Sequence, residues 1–257
     1  MPLICVLFMN KKRVIEIVLI ALFTALSFVG TMCMIPLPTG DMIHLGNFIC
    51  ILAALLLGGV KGGICGSLGM GLYDICFYFD SPTTIIRTFI LKFLMGLIAG
   101  VIFKVFKNKD KKYSSSVLLI IGLLNILLLS LSIYMHISGI TMLDKAIKVH
   151  FLVPTAIGVF LLLDILIYLY IRKKDSLVSS VAIAASLASI FNVTLEFIVR
   201  LTLGVLIDRL GFMPSLVNSF SKLPASVLTS TLTIFVVTAV YPLIYRAVAP
   251  KYKEYLI

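Results

Sequence analysis

Several charged and polar side chains lie inside segments of this chain that are otherwise apolar. They are Asp74, Arg87, Lys92, Asn192, Glu196 and Arg200. A charged side chain near the centre of a bilayer costs about 2.5–3.5 kcal/mol on insertion scales, so such residues usually serve a function. Spacings of four place the last three on one helical face. We expect these groups to line a polar pocket for a small molecule, open toward the outer side of a membrane.

Simple charge pairing is the alternative explanation of these residues. Glu196 and Arg200 would then only neutralise each other, and Asp74 would pair with Arg87. Several such groups at one depth nevertheless favour a binding site over isolated ion pairs.

An intramembrane protease is a less favoured interpretation. Tyr73-Asp74 is similar to one half of the membrane aspartic protease motif. That chemistry needs two carboxylates that share a proton. The second half, Gly-x-Gly-Asp, is missing, because Gly40-Asp41 lacks the first glycine. The sequence therefore favours a protein that is not an enzyme.

Cofactor and metal chemistry also lack a sequence signal. The chain contains no Gly-x-x-x-x-Gly-Lys-[Ser/Thr] motif for nucleotide phosphates. Its three histidines, His44, His136 and His150, are too widely separated for a metal-ligand spacing. We predict no cofactor and no metal site.

The amino-acid composition indicates which class of protein holds these polar groups in position. The chain has 257 residues, of which 61% are hydrophobic and 13% charged, whereas soluble domains carry roughly 25% charged residues. This predicts an all-α integral membrane protein. The formal net charge of +11 then reflects Lys and Arg kept on the cytoplasmic side, and not nucleic-acid binding.

Eight segments are predicted to span the membrane, since each is mostly apolar and a span needs about 20 such residues. They are 14–35, 47–60, 62–78, 83–106, 116–137, 149–171, 177–207 and 223–248. With both termini in the cytoplasm, fifteen Lys and Arg fall in cytoplasmic segments and four in external loops. This bias favours eight spans over seven.

The first external loop carries three groups that can form hydrogen bonds. Asp41, His44 and Asn47 follow two prolines and a glycine that stop the first helix. Such a loop is either a solvated turn or a lid folded over a cavity, and its short, semi-apolar character suits a lid.

Glycines are concentrated in the second and third spans. Seven lie between positions 58 and 71, and Gly59/Gly63 and Gly96/Gly100 repeat a spacing of four. In lipid, small residues allow helix backbones to approach closely. We therefore predict tight helix crossings at these positions.

The first span carries a stripe of small residues. Ala21 and Ala25 lie one turn apart, and a helix could dock there. Packing within the molecule and contact with a partner protein are equally compatible with this stripe.

Taken in order, these motifs resemble the S component, the substrate-binding membrane subunit, of energy-coupling factor (ECF) vitamin transporters. The stretches that carry the resemblance are GDMIHLGN at 40–47, LAALLLG at 52–58, GGICG at 62–66, Asp74, PTTIIR at 82–87, LPAS at 223–226 and the Ala21-x-x-x-Ala25 motif. The resemblance is good over residues 14–107 and plausible over 177–248.

The resemblance implies a function, partners and site residues. The chain would bind a vitamin or related small molecule at the outer face of a prokaryotic cytoplasmic membrane. It would depend on one membrane coupling subunit, contacted through Ala21 and Ala25, and on two ATP-binding subunits. Asp41, His44 and Asn47 become lid or pocket residues, and Asp74 and Arg87 polar pocket groups.

The resemblance also implies an organisation. We expect one membrane domain with a six-helix core, of which 14–107 form the first four helices and 177–248 the last two. Residues 113–175 would add a two-helix hairpin. The substrate stays open, with a neutral or zwitterionic heterocycle favoured. The alternatives are a stand-alone secondary transporter of a small organic solute and, less favoured, the aspartic-type protease.

Overall fold

The computed structural model describes residues 11–36, 42–107, 116, scattered positions from 119 to 138, 140–142, 145–147, 152–172, 176–207, 209 and 211–252. Helices with defined bounds in these residues are α1 (Lys11–Met32), α2 (Gly46–Leu57), α3 (Gly59–Phe77), α4 (Pro82–Phe106), α5 (Leu152–Arg172), α6 (Ser176–Leu206) and α7 (Phe212–Tyr252). The described positions from 116 to 137 are helical as well.

Two short antiparallel strand pairs complete the described elements. β1 (Ile35–Pro36) pairs with β2 (Met42–Ile43), and β3 (Ile140–Met142) pairs with β4 (Lys145–Ile147). The prediction of an all-α membrane protein is confirmed, with these pairs confined to loops.

Two helix boundaries differ clearly from the prediction. The first helix ends at Met32, and not at 35, because Ile35 and Pro36 extend into β1. Proline disfavours helical backbone in the residue before it, which explains the early end. The last helix begins at Phe212, eleven residues before the predicted start at 223.

The added turns of α7 consist of residues that sequence patterns assign to a loop. Gly211, with a φ of +79°, precedes the helix. Ser215 and Ser219 each donate a hydrogen bond of 2.8 Å to the carbonyl four residues earlier. Serine hydroxyls bonded in this way are compatible with a helix, although serine runs are more typical of loops.

The centre of the bundle is α2. Its residues from Cys50 to Leu57 are all buried, and α1, α3, α4 and α7 pack against it. A helix that is apolar on all sides is expected at such a position.

Helices α3 and α4 cross through glycines, as predicted. A Cβ added to Gly96 would lie 2.5 Å from the Gly63 nitrogen, and one added to Gly63 would lie 2.6 Å from the Phe93 carbonyl oxygen. The two backbones are therefore in direct contact at this crossing.

The region predicted as an extra hairpin lies at the side of the bundle. α5 packs mainly on α7 and has only a small contact with α6. α1 to α4, α6 and α7 form most of the main apolar core, to which α5 adds Ile167.

Four of the described helices are long and apolar enough to cross a membrane: α1, α4, α6 and α7. α2 is a shorter apolar helix of 12 residues. Eight spans and cytoplasmic termini stay predictions.

Candidate functional site

A cavity of about 340 Å³ opens at one end of the bundle. At this end α1, α3 and α6 finish, and α4 and α7 begin. Among the residues that line it, the charged ones are Asp74, Arg87, Lys92, Glu196, Arg200 and Lys222. Five of these, all except Lys222, are among the polar groups predicted to line a pocket, and the fold brings them together from α3, α4 and α6.

Glu196 and Arg200 form an ion pair in the cavity wall. Arg200 Nη2 lies 2.7 Å from Glu196 Oε1, with the two residues one helical turn apart. Ser226 of α7 donates a hydrogen bond of 3.2 Å to the other carboxylate oxygen. The simple pairing is thus confirmed for this pair, yet both side chains line the cavity.

Lys92 brings a cation deep into the bundle. Only 8% of the residue is exposed, and its Nζ donates a hydrogen bond of 3.2 Å to Asn192 Oδ1. Asn192, a predicted site residue, is buried behind Lys92 and does not line the cavity. Its role in this geometry is to hold Lys92 in place.

Asp74 supplies the second carboxylate from the last turns of α3. It is 5% exposed and hydrogen bonds with Thr88 of α4, while the charges of Arg87 and Lys92 lie near enough to act on it. The first turns of α4 thus surround Asp74 with donors.

The loop before α2 contributes His44. Its Nδ1 accepts a hydrogen bond of 3.2 Å from the Gly46 N–H, and its side chain lines the cavity. Burial, and to a smaller extent the positive charge of Lys92, lowers the pKa of His44 to about 4. His44 is therefore neutral at neutral pH. β2, directly before His44, packs against α7.

The other two loop predictions have different outcomes. Asp41 lies outside the described residues. Asn47 is buried in the first turn of α2 and does not line the cavity. Its Oδ1 has no hydrogen-bond partner among the described residues.

Sequence reasoning missed several residues of the cavity. Lys222 and Asn218 come from the early turns of α7, which were assigned to an external loop. Hydroxyl groups also line it, from Thr31, Ser81, Thr83, Thr84 and Thr88. The predicted Lys92 had a signal in the sequence, the cost of a cation inside an apolar span, whereas these hydroxyl groups had none.

The small-residue stripe of α1 faces away from the bundle. Ala21 and Ala25 are exposed, as are the neighbouring Val18, Leu22 and Val29. No helix among the described residues covers these two alanines, and contact with a partner protein stays a prediction.

Comparison with known proteins identifies one family. The family model described as "ECF-type riboflavin transporter, S component" matches residues 11–173. No curated protein and no solved structure matches the chain. Asp74, Arg87 and Lys92 lie within the match, which also includes most of the predicted extra hairpin and ends before α6.

Proposed function

This chain belongs to the family of ECF-type riboflavin transporter S components, and from that premise we propose that it is the substrate-binding subunit of an ATP-driven importer. It captures a vitamin or related small molecule at the outer face of a prokaryotic cytoplasmic membrane. Transport then depends on a membrane coupling subunit and two ATP-binding subunits.

The observation that carries this proposal is the cavity at the end of the bundle. Its volume of about 340 Å³ is within the range of small-molecule sites, about 300–1,000 Å³. Buried charges are costly unless they interact with a partner or a ligand. Asp74 and Lys92 are buried and four partly buried charges surround the same hollow, which supports a binding site better than a structural role.

The site residues receive distinct proposed roles. Asp74, Arg87, Glu196 and Arg200 contact the substrate, since their side chains line the cavity. His44 covers it from the loop side, together with Asp41.

Asn47 and Asn192 support the site from behind. Both are buried outside the cavity wall, and Asn192 holds Lys92. We assign α2 and the five helices around it, α1, α3, α4, α6 and α7, to the S-component core, and α5 with residues 116–137 to an added hairpin.

The coupling subunit docks on the exposed stripe of α1 that contains Ala21 and Ala25. Small side chains permit a close helix approach, so a tryptophan at either position should block it. We expect Ala21→Trp and Ala25→Trp to abolish co-purification with the coupling subunit and uptake of the substrate. Val101→Trp is the matched control, because Val101 is an exposed position on α4.

Riboflavin is the first compound to test for uptake, because the family description names it. Uptake by vesicles should require the complete ECF module and ATP. Equal uptake by the chain alone would instead establish a stand-alone secondary transporter. Unchanged assembly of both alanine variants would contradict the docking surface.

A further inference from the structure

The ammonium group of Lys92 has hydrogen-bond donors that the protein does not use. A lysine Nζ carries three N–H donors, and one of them bonds to Asn192 Oδ1 at 3.2 Å. No other acceptor among the described residues bonds to Lys92 Nζ. Lys92 is only 8% exposed and its side chain lines the cavity. An acceptor for the remaining N–H donors therefore has its place in the cavity.

His44 supplies a second donor in the same region. Its Nδ1 accepts a hydrogen bond from the Gly46 N–H, and a neutral imidazole whose Nδ1 accepts carries its proton on Nε2. This Nε2–H bonds to no other described residue, and the side chain lines the cavity. Lys92 lies near enough for its charge to act on His44. The two donors are therefore neighbours in the cavity wall.

Lys92 lacks acceptor atoms rather than negative charge. Asp74 and Glu196 lie near enough for the charge of Lys92 to act on both carboxylates, although neither forms an ion pair with it among the described residues. Nearby carboxylates lower the cost of burying the ammonium group, but they leave its N–H donors unbonded at this separation. An anion placed beside Lys92 would also approach these two carboxylates. A neutral carbonyl oxygen or ring nitrogen accepts hydrogen bonds without that repulsion.

We propose that Lys92, positioned by Asn192, and His44 form a subsite that binds a neutral acceptor group of the substrate, a carbonyl oxygen or a ring nitrogen of a heterocycle. This inference rests on the proposed function and deepens it, because it makes Lys92 a specificity-determining residue and names the part of the substrate that it contacts. The ring of riboflavin carries such atoms at N1, O2, O4 and N5, so riboflavin is a suitable probe.

The first measurement is the affinity of purified full-length variants for riboflavin. Lys92→Met should bind it at least about tenfold more weakly, because a hydrogen bond to a charged donor is lost. His44→Phe keeps a flat ring without the donor and should weaken binding by a smaller factor, about threefold. Lys104→Met and His136→Phe, at exposed positions, should bind as the wild type does. Thermal unfolding of each variant checks that it is folded.

Flavin analogues then identify the acceptor atom. 1-Deazariboflavin and 5-deazariboflavin replace a ring nitrogen by carbon, and 2-thioriboflavin and 4-thioriboflavin replace a carbonyl oxygen by the weaker acceptor sulfur. Loss of the atom that Lys92 contacts should weaken binding to the wild type at least about threefold. The same replacement should have little further effect in Lys92→Met, because the donor is already absent. If Lys92→Met does not fold, the same comparison is made with His44→Phe.

The remaining outcomes separate the subsite from the importer function. Unchanged riboflavin binding in either variant would overturn the subsite, as would analogue losses of equal size in the wild type and in Lys92→Met. If riboflavin does not bind, mass spectrometry identifies the small molecule released from protein purified from cells. A heterocycle with a carbonyl or ring nitrogen that Lys92→Met binds more weakly supports the subsite. A molecule without such an atom, or one that Lys92→Met binds equally well, overturns it while the importer function stands. A protein that binds no flavin and releases no molecule contradicts both.

Discussion

The two ends of the α3–α4 helix pair are built from opposite kinds of residue. Toward one end, Gly59 and Gly63 of α3 meet Gly100 and Gly96 of α4, with backbone against backbone. Toward the other end, the same helices present Asp74, Arg87 and Lys92 to a cavity. The two helices thus pack backbone against backbone where side chains are absent, and line a cavity where the side chains are long and charged.

This difference shows how one helix pair can serve both purposes. Because no side chain separates the helices at the glycine contact, they are held at a fixed distance there. At the cavity end, long polar side chains surround a hollow of about 340 Å³. Changes at the glycine end should therefore act on stability first, and changes at the cavity end on binding first.

The largest effect is expected from Gly96→Leu. Any Cβ at this position would lie 2.5 Å from the Gly63 nitrogen and 2.6 Å from its Cα. Backbone atoms cannot move aside as a flexible side chain can, so α3 and α4 must separate. Overpacking costs about 1–3 kcal/mol, occasionally more, and we expect at least about 3 kcal/mol here. Thermal unfolding in detergent would measure the loss.

Gly122→Leu is the matched control for this prediction. A Cβ at Gly122 meets no atom within 4 Å, so its melting temperature should stay within about 2 °C of the wild type. Equal losses of melting temperature in Gly96→Leu and Gly122→Leu would show that the close glycine crossing has no special role in stability.

The glycine end was predictable from sequence, because its signal is local. The four-residue spacing of Gly59/Gly63 and Gly96/Gly100 indicates a close crossing without any knowledge of the fold. The charged residues Asp74, Arg87, Glu196 and Arg200 were also recognisable, since a charge in an apolar span is expensive. Their convergence on one cavity follows from the same cost.

The rest of the cavity could not be predicted, for two physical reasons. Lys222 lies in a serine-containing segment whose hydroxyls bond to the helix backbone, so a loop-like composition forms a helix. Asn47 and Asn192 show the opposite case. Both are polar and near the site, but their helix faces turn them into the protein interior, and residue type alone does not specify that rotation.

Lys92→Met should act mainly on binding, with a smaller effect on stability than Gly96→Leu. Lys92 is buried, so its removal recovers the cost of desolvating a cation. It also leaves Asn192 Oδ1 and the nearby Asp74 carboxylate without Lys92 as a partner, and these two effects oppose each other. We expect a change of less than about 1 kcal/mol in the free energy of unfolding of the ligand-free protein, with at least about tenfold weaker substrate binding. Lys104→Met, an exposed lysine of the same helix, should change neither.

Loss of stability together with loss of binding in Lys92→Met would contradict the division between the two ends. Lys92 would then contribute to the stability of the fold, as Gly96 does. Unfolding and binding measured on the same preparation separate these outcomes.

The smallest effect concerns the loop that covers the cavity, through the titration of His44. Its pKa in the folded protein is about 4, below the ordinary value of about 6.5. Above pH 6.5 both states are neutral and stability is independent of this group. As the pH falls from 6.5 to 4, the unfolded chain binds a proton that the folded protein does not, so the free energy of unfolding decreases. Allowing for partial exposure, the loss at pH 5 is about 1 kcal/mol, which corresponds to about 2–4 °C in melting temperature.

His44→Gln should lose this part of the pH dependence, whereas His136→Gln, at an exposed position, should retain it. Coincident pH profiles of the wild type and His44→Gln would show that the loop histidine is not held neutral beside Lys92, and that the cavity is more open on this side than its geometry indicates.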